Sequence, residues 1–187
     1  MQSPFSFIVR PVNGTRYDNV KKIGDLDFLI SVSKEDHTAA NRYAQVVSTP
    51  INYSGDVNIG DILLVHHNVF KYYNDMYGRE KSGKSFFKDD LFFIDFDQFF
   101  LYYNKEEWKS HSKYCFIKPI PPKKSFLGKT GKEEPLMGIV KYNNQELKNL
   151  GVRVGDEVSF TPESEYEFYI EDEKLYRMFT DNITMIM

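Results

Sequence analysis

The sequence is poorest in the features that most often announce chemistry or location. It carries one cysteine, Cys115, in 187 residues, which excludes an internal disulfide framework and fits a reducing compartment. No apolar run approaches the length needed to cross a bilayer. The start, Met1-Gln2-Ser3-Pro4, lacks the basic stretch and apolar run of a secretory signal. The expectation is therefore a soluble protein of the cytoplasm, or of the host cytoplasm for a viral chain, with no membrane partner. Charge of one sign is lacking too. The 24 Lys and Arg face 27 Asp and Glu, a net of −3, which gives no broad electrostatic reason to expect nucleic acid.

A catalyst is also missing. His66-His67 are adjacent, and neighbours on a strand point to opposite faces, so the pair does not easily grip one metal ion. Cys115 opens an apolar segment without a visible activating partner, which favours a buried, inert thiol. The 27 acidic residues fall mostly on polar runs such as Glu106-Glu107 and Glu133-Glu134, and no pair stands out as an acid/base couple. Asn13-Gly14-Thr15 and Asn182-Ile183-Thr184 match the glycosylation pattern, which carries little weight without a secretory signal.

Gly78-Arg79-Glu80-Lys81-Ser82-Gly83-Lys84-Ser85 fits the phosphate-loop pattern letter for letter. That pattern has meaning only between a buried strand and a helix. Here a polar, Tyr-rich stretch precedes it, and Leu91-Phe92-Phe93-Ile94 follows too soon for a helical crossover. A basic hairpin or loop is the better expectation. Neither an enzyme nor a bound cofactor or metal is expected.

What is present is a repeat. Phe7-Ile8-Val9-Arg10-Pro11 and Phe116-Ile117-Lys118-Pro119 open two similar halves. Tyr43-Ala44-Gln45-Val46-Val47 is matched by Met137-Gly138-Ile139-Val140-Lys141, and Val57-Asn58-Ile59-Gly60-Asp61-Ile62 by Val152-Arg153-Val154-Gly155-Asp156-Glu157-Val158. Internal repetition sets the architecture before any other signal. The expected fold is all-β, as two tandem small domains at 1–104 and 113–187 joined by the polar connector Asn104 to Lys113, which holds the only Trp, Trp108. Sixteen Phe and 13 Tyr help cores of this size, because large rings bury much area per residue.

Residues 12–42 are polar and glycine-containing and read mostly as a long loop, with one apolar island at Leu26-Asp27-Phe28-Leu29-Ile30. Residues 66–90 form an insertion rich in Tyr and charge. Leu91 to Ile94 and Phe99 to Tyr103 read as paired strands. Glu146 to Gly151 reads as one helical turn ended by glycine. Tyr166 to Ile170, Leu175 to Met178 and Ile183 to Ile186 read as closing strands, with a hairpin tip at Glu171 to Lys174 that lacks a glycine.

The ordered set, seen twice, resembles the GroES family of co-chaperonins, the lids of the chaperonin folding chamber. The matching signs are the opening strand, the long loop with an apolar patch, the Ala44-Gln45-Val46-Val47 strand and the Gly60-Asp61 turn, with Met137 to Val140, Gly155-Asp156 and the closing strands in the second half. The resemblance implies two partly open antiparallel β-barrels and a homo-oligomeric ring. It also implies a GroEL-type chaperonin as partner, which holds the nucleotide, and an unfolded client inside the chamber. The family's aliphatic triplet, carried on a mobile loop, maps to Phe28, Leu29 and Ile30, with Leu26 as an assisting contact; Phe126 and Leu127 form a weaker counterpart in the second half.

Burying each such side chain gives about 1.5–3 kcal/mol, and ordering each loop residue costs about 1–2 kcal/mol. One loop therefore binds weakly, and repetition around a ring supplies avidity. The alternative is that Phe28 to Ile30 forms an extra strand or a core plug. Both halves lack the family's roof hairpin, since Ser48 to Asp56 and Tyr142 to Leu150 are short. That pattern resembles phage-encoded co-chaperonins serving a bulky client such as a capsid protein. Tandem copies do not tile a sevenfold ring in equivalent pairs, and the 66–90 insertion has no family counterpart. A phage virion or assembly adaptor built from the same two barrels is the competing function.

Overall fold

The computed structural model describes residues 1–17, 20–23, 26–29, 40–122 and 133–187, with 20–23 and 26–29 described by their backbone. The chain divides into two units, Met1–Glu107 and Trp108–Met187.

The first unit contains β1 (Phe7–Pro11), β2 (Val20–Ile23), β3 (Leu26–Leu29), β4 (Tyr43–Ser48), β5 (Ile62–Val65), β6 (Tyr72–Asn74), β7 (Glu80–Ser82), β8 (Phe86–Lys88), β9 (Leu91–Ile94) and β10 (Phe99–Tyr103). β4 shows the simplest cause of strand structure here: Ala44, Val46 and Ser48 are buried while their neighbours are half-buried, the period of a strand with one face on a core. Within this unit the main sheet runs β8-β9-β1-β4-β5-β10, antiparallel throughout. β2 with β3, and β6 with β7, form separate two-stranded ribbons.

β9 and β10 do not pair with each other, contrary to the hairpin expected from their closeness in sequence. β9 pairs with β1 and β8, and β10 with β5. Four steps of the sheet order separate them, about 19 Å if the sheet were flat, yet only the turn at 95–98 joins them, with the Gln98 amide bonded to the Asp95 carbonyl at 3.1 Å. Even a fully extended chain from Ile94 to Phe99 reaches only about 17 Å. The sheet must therefore curl. Phe7 on β1 meets Phe99 on β10 at 5.5 Å between ring centroids, three strand positions away, across the concave side. That concave side holds the core of Phe7, Val46, Leu63, Phe70, Phe92 and Phe99, with their neighbours. The sheet curls without closing.

The second unit contains β11 (Trp108–Ser110), β12 (Tyr114–Pro119), β13 (Met137–Tyr142), α1 (Gln145–Asn149), β14 (Glu157–Phe160), β15 (Tyr166–Ile170), β16 (Glu173–Phe179) and β17 (Ile183–Ile186). Its sheet runs β15-β16-β12-β13-β14-β17. Place for place this is the order of the first unit, so the repeated sequence folds into repeated topology. Even the irregularities recur: the register slips between Ile8 and Val9 against β4, and between Phe116 and Ile117 against β13. Its core gathers Cys115, Ile117, Val140, Leu147, Val158 and Met178, among others.

The two Gly-Asp turns match bond for bond. Gly60 and Gly155 take φ of +92° and +95°, a region that favours glycine. Their amides donate to the Val46 and Val140 carbonyls at 2.8 and 2.9 Å. The Asp61 and Asp156 carboxylates accept the amides of Asn58 and Arg153 at 2.8 and 2.7 Å. Val57 and Val152 are buried at each turn, and Ile59 and Val154 are exposed.

The expected helical turn is α1, capped by Asn144, whose Oδ1 accepts the Leu147 amide at 2.8 Å. The hairpin tip between β15 and β16 is only Glu171-Asp172, with φ of +52° and +63°. This is the mirror-image turn that strand twist favours, made here without glycine.

Candidate partner-binding site

Residues 12–42, expected to be mostly loop, have a fixed root. Pro11 ends β1, and Asn13 and Gly14 turn the chain with φ of +63° and +68°. Tyr17 then bridges Ala40 in antiparallel fashion. The Asn41 amide donates to the Arg16 carbonyl (2.9 Å), and the Asn41 side-chain amide donates to the carbonyls of Val12 (3.0 Å) and Thr15 (2.7 Å). Asn41 Oδ1 accepts the Tyr43 amide at 2.9 Å. One short polar side chain thus ties both ends of the segment to the start of β4, and it is 8% exposed, so water does not compete easily for these bonds.

From this root rises the β2–β3 ribbon, in the register Val20↔Leu29, Lys21↔Phe28, Lys22↔Asp27 and Ile23↔Leu26. Leu26, Phe28 and Leu29 therefore belong to a strand paired with the lysine-bearing β2; this corrects the picture of an irregular loop and, for Phe28 and Leu29, is the extra strand set out above as the alternative. The cause is local: Val20 to Ile23 and Leu26 to Leu29 are two strand-length runs split by Gly24-Asp25, a hairpin signal. Ile30 lies outside the described residues, as do Phe126 and Leu127.

The second unit secures the corresponding segment differently. The Glu134 amide donates to the Ile120 carbonyl at 2.9 Å. Glu133 accepts from Lys174 Nζ at 2.8 Å and from the Tyr176 hydroxyl. Lys174 also reaches Glu167 at 3.1 Å, and the Glu133 contact is the main reason its ammonium is held above the usual lysine range. Beside it, Glu173 bridges Lys118 (2.6 Å) and Lys141 (2.7 Å), and those two hydrogen bonds hold its carboxyl below the usual range.

Sequence inspection missed Arg16 and Tyr17. The Arg16 guanidinium lies over Tyr72, Phe92 and Phe86 at 4.2, 4.6 and 4.9 Å from the ring centroids, and donates to Ser82 Oγ at 2.9 Å. Burial is the main influence on it and lowers its pKa from the usual arginine value. The Tyr17 hydroxyl accepts the Tyr72 amide at 2.9 Å, and the two tyrosine rings stack. The only sequence signal was a bulky basic–aromatic pair one residue beyond the Asn13-Gly14 turn.

The other motifs resolve plainly. The phosphate-loop pattern spans the β6–β7 turn and β7, with no helix after it; Gly83 donates its amide to the Lys71 carbonyl at 3.0 Å. His66 and His67 lie beyond the end of β5, where strand alternation no longer separates them, and their rings sit 4.1 Å apart. No cluster of three metal-ligating side chains occurs among the described residues. Cys115 is fully buried, and burial pushes its thiol up to about 12. No described helix is long and apolar enough to cross a membrane. No family model matches the chain, and no curated protein matches it.

Proposed function

We propose that this chain is a non-enzymatic co-chaperonin of the GroES kind. It caps an ATP-driven GroEL-type ring and helps enclose an unfolded client, with phage capsid protein as the client class that a roofless lid suits. The single observation that carries this is the strand order of the first unit repeated in the second; Leu26, Phe28 and Leu29 form a strand, but on a two-stranded ribbon separate from the main sheet. Each unit's antiparallel sheet corresponds, on this proposal, to one partly open GroES-like barrel. A contact of a few apolar side chains is weak alone, at about 1.5–3 kcal/mol for each one buried. A homo-oligomeric ring makes the later contacts intramolecular and strengthens the whole. Such a lid binds when the partner's nucleotide state presents all its sites and leaves when they are withdrawn.

The test is retention of the protein on an immobilised GroEL-type chaperonin with and without ATP or ADP. Nucleotide-dependent retention, lost when Phe28, Leu29 and Ile30 are all replaced by Ser, supports the proposal. Retention indifferent to nucleotide, or none at all, removes it and leaves the virion adaptor as the alternative, which co-purification with assembled particles tests.

A further inference from the structure

The 66–90 insertion touches the root of the 18–39 segment through Tyr72, Ser82 and Phe86. Tyr72 on β6 stacks on Tyr17 and gives its amide to the Tyr17 hydroxyl. Tyr72 also forms one wall around Arg16, with Phe86 on β8 and Phe92 on β9 as the others. Ser82 on β7 accepts from Arg16. Arg16 in turn offers its own carbonyl to Asn41, the residue that joins the two ends of the segment. A two-stranded ribbon is marginally stable alone, and β6–β7 gains its footing through these contacts. Its tip, with Met76 90% exposed and Tyr77 76% exposed, contributes nothing to the core.

We infer that the β6–β7 ribbon is a brace: by stacking Tyr72 on Tyr17 and holding Arg16 through Tyr72 and Ser82, it fixes where the 18–39 segment leaves the sheet. Arg16 and Tyr17 are positioning residues, acting on a partner only through that segment. A guanidinium suits the task better than an ammonium, since its flat face packs against three rings while its edge bonds to Ser82. The functional consequence rests on the lid proposal. A segment held in its outgoing direction spends more of its time competent to dock, so the brace raises the association rate and leaves dissociation unchanged.

The ribbon can be excised, because Lys71 and Gly83 are already hydrogen-bonded neighbours. In the full chain lacking residues 72–82, the Asn41 amide is expected to exchange with solvent at least ~10-fold faster, while the Val9 and Val46 amides of the main sheet stay protected. Arg16→Lys and Tyr17→Phe, milder changes that leave the ribbon in place, are expected to shift Asn41 in the same direction by smaller factors. With chaperonin and nucleotide, the excised form is expected to associate more slowly and leave at the same rate. Unchanged Asn41 exchange in all three variants overturns the brace, whatever the chaperonin does. So does equal loosening of Asn41, Val9 and Val46, which reports only lost stability. Faster Asn41 exchange without capture of any form by chaperonin leaves the brace standing and removes the lid.

Discussion

Replacing the two turn aspartates by alanine tests whether the repeat is physical and whether its copies differ as their burial says. Asp61 is 4% exposed, and its carboxylate is the acceptor for the Asn58 amide. Removing it leaves that N–H in a part-buried place without its partner, a loss of about 2–3 kcal/mol for a charged acceptor. Asp156 holds the Arg153 amide in the same way, but at an exposed site. Water replaces that acceptor, and the loss falls to about 1 kcal/mol. The backbone bonds of both turns are untouched, because Gly60 and Gly155 keep their φ and their carbonyl partners. The assay is hydrogen exchange of core amides in the full chain. Asp61→Ala is expected to lower protection at Val9 and Val46 roughly 30- to 150-fold, and Asp156→Ala to lower it at Ile117 and Val140 roughly 5-fold. Equal losses in the two units, or a loss at Asp61 under about 0.5 kcal/mol, refute the assignment of the carboxylate as the turn's main clamp.

Other perturbations follow from single contacts. Gly138 stands where the first copy has Ala44, but a Cβ there would lie 2.4 Å from Ile117 Cγ2 and 2.7 Å from the Lys118 carbonyl oxygen. Gly138→Ala should cost about 1–3 kcal/mol by urea unfolding. Asp172→Gly at the β15–β16 tip should gain up to about 1 kcal/mol, because it relieves a positive φ of 63°; a melting temperature that falls would show the native Asp makes a contact worth more than that relief. Burial raises Tyr102, Tyr142 and Cys115 each to about 12. All three are neutral acids when protonated, so the unfolded chain ionises first. Their stabilisation is complete below about pH 9 and declines as pH rises toward 12. Urea midpoints compared at pH 8 and pH 11 should show this loss, and Cys115 should resist alkylation at pH 8 until the chain unfolds.

The parts legible from sequence are those whose physics is local. A glycine at positive φ followed by an aspartate that reaches back three residues is written in five letters, and both copies fold as written. α1 was legible for the same reason, through Gly151 after its end; its cap at Asn144 was not read from sequence. The β9–β10 hairpin was misread because sequence closeness favours pairing, whereas the curl that joins the sheet's distant strands depends on the whole core around Phe7 and Phe99. The β15–β16 hairpin tip was legible in place, at Glu171 to Lys174, but its two-residue length was not, because neither Glu171 nor Asp172 is glycine. At the candidate site, the apolar residues could be picked out, but the root that holds them could not. Arg16 reads as a surface cation until its partners Tyr72, Ser82, Phe86 and Phe92 arrive from far along the chain. Asn41 reads as loop until its amide meets Val12 and Thr15.

The most direct measurement of the lid claim is the hydrogen-exchange footprint of the protein on a GroEL-type chaperonin, with nucleotide and without. The expected result is new protection concentrated at residues 26–30, appearing only with nucleotide, while the amides of β1 and β4 stay as they were. Protection that never reaches 26–30, or that appears there without regard to nucleotide, contradicts it.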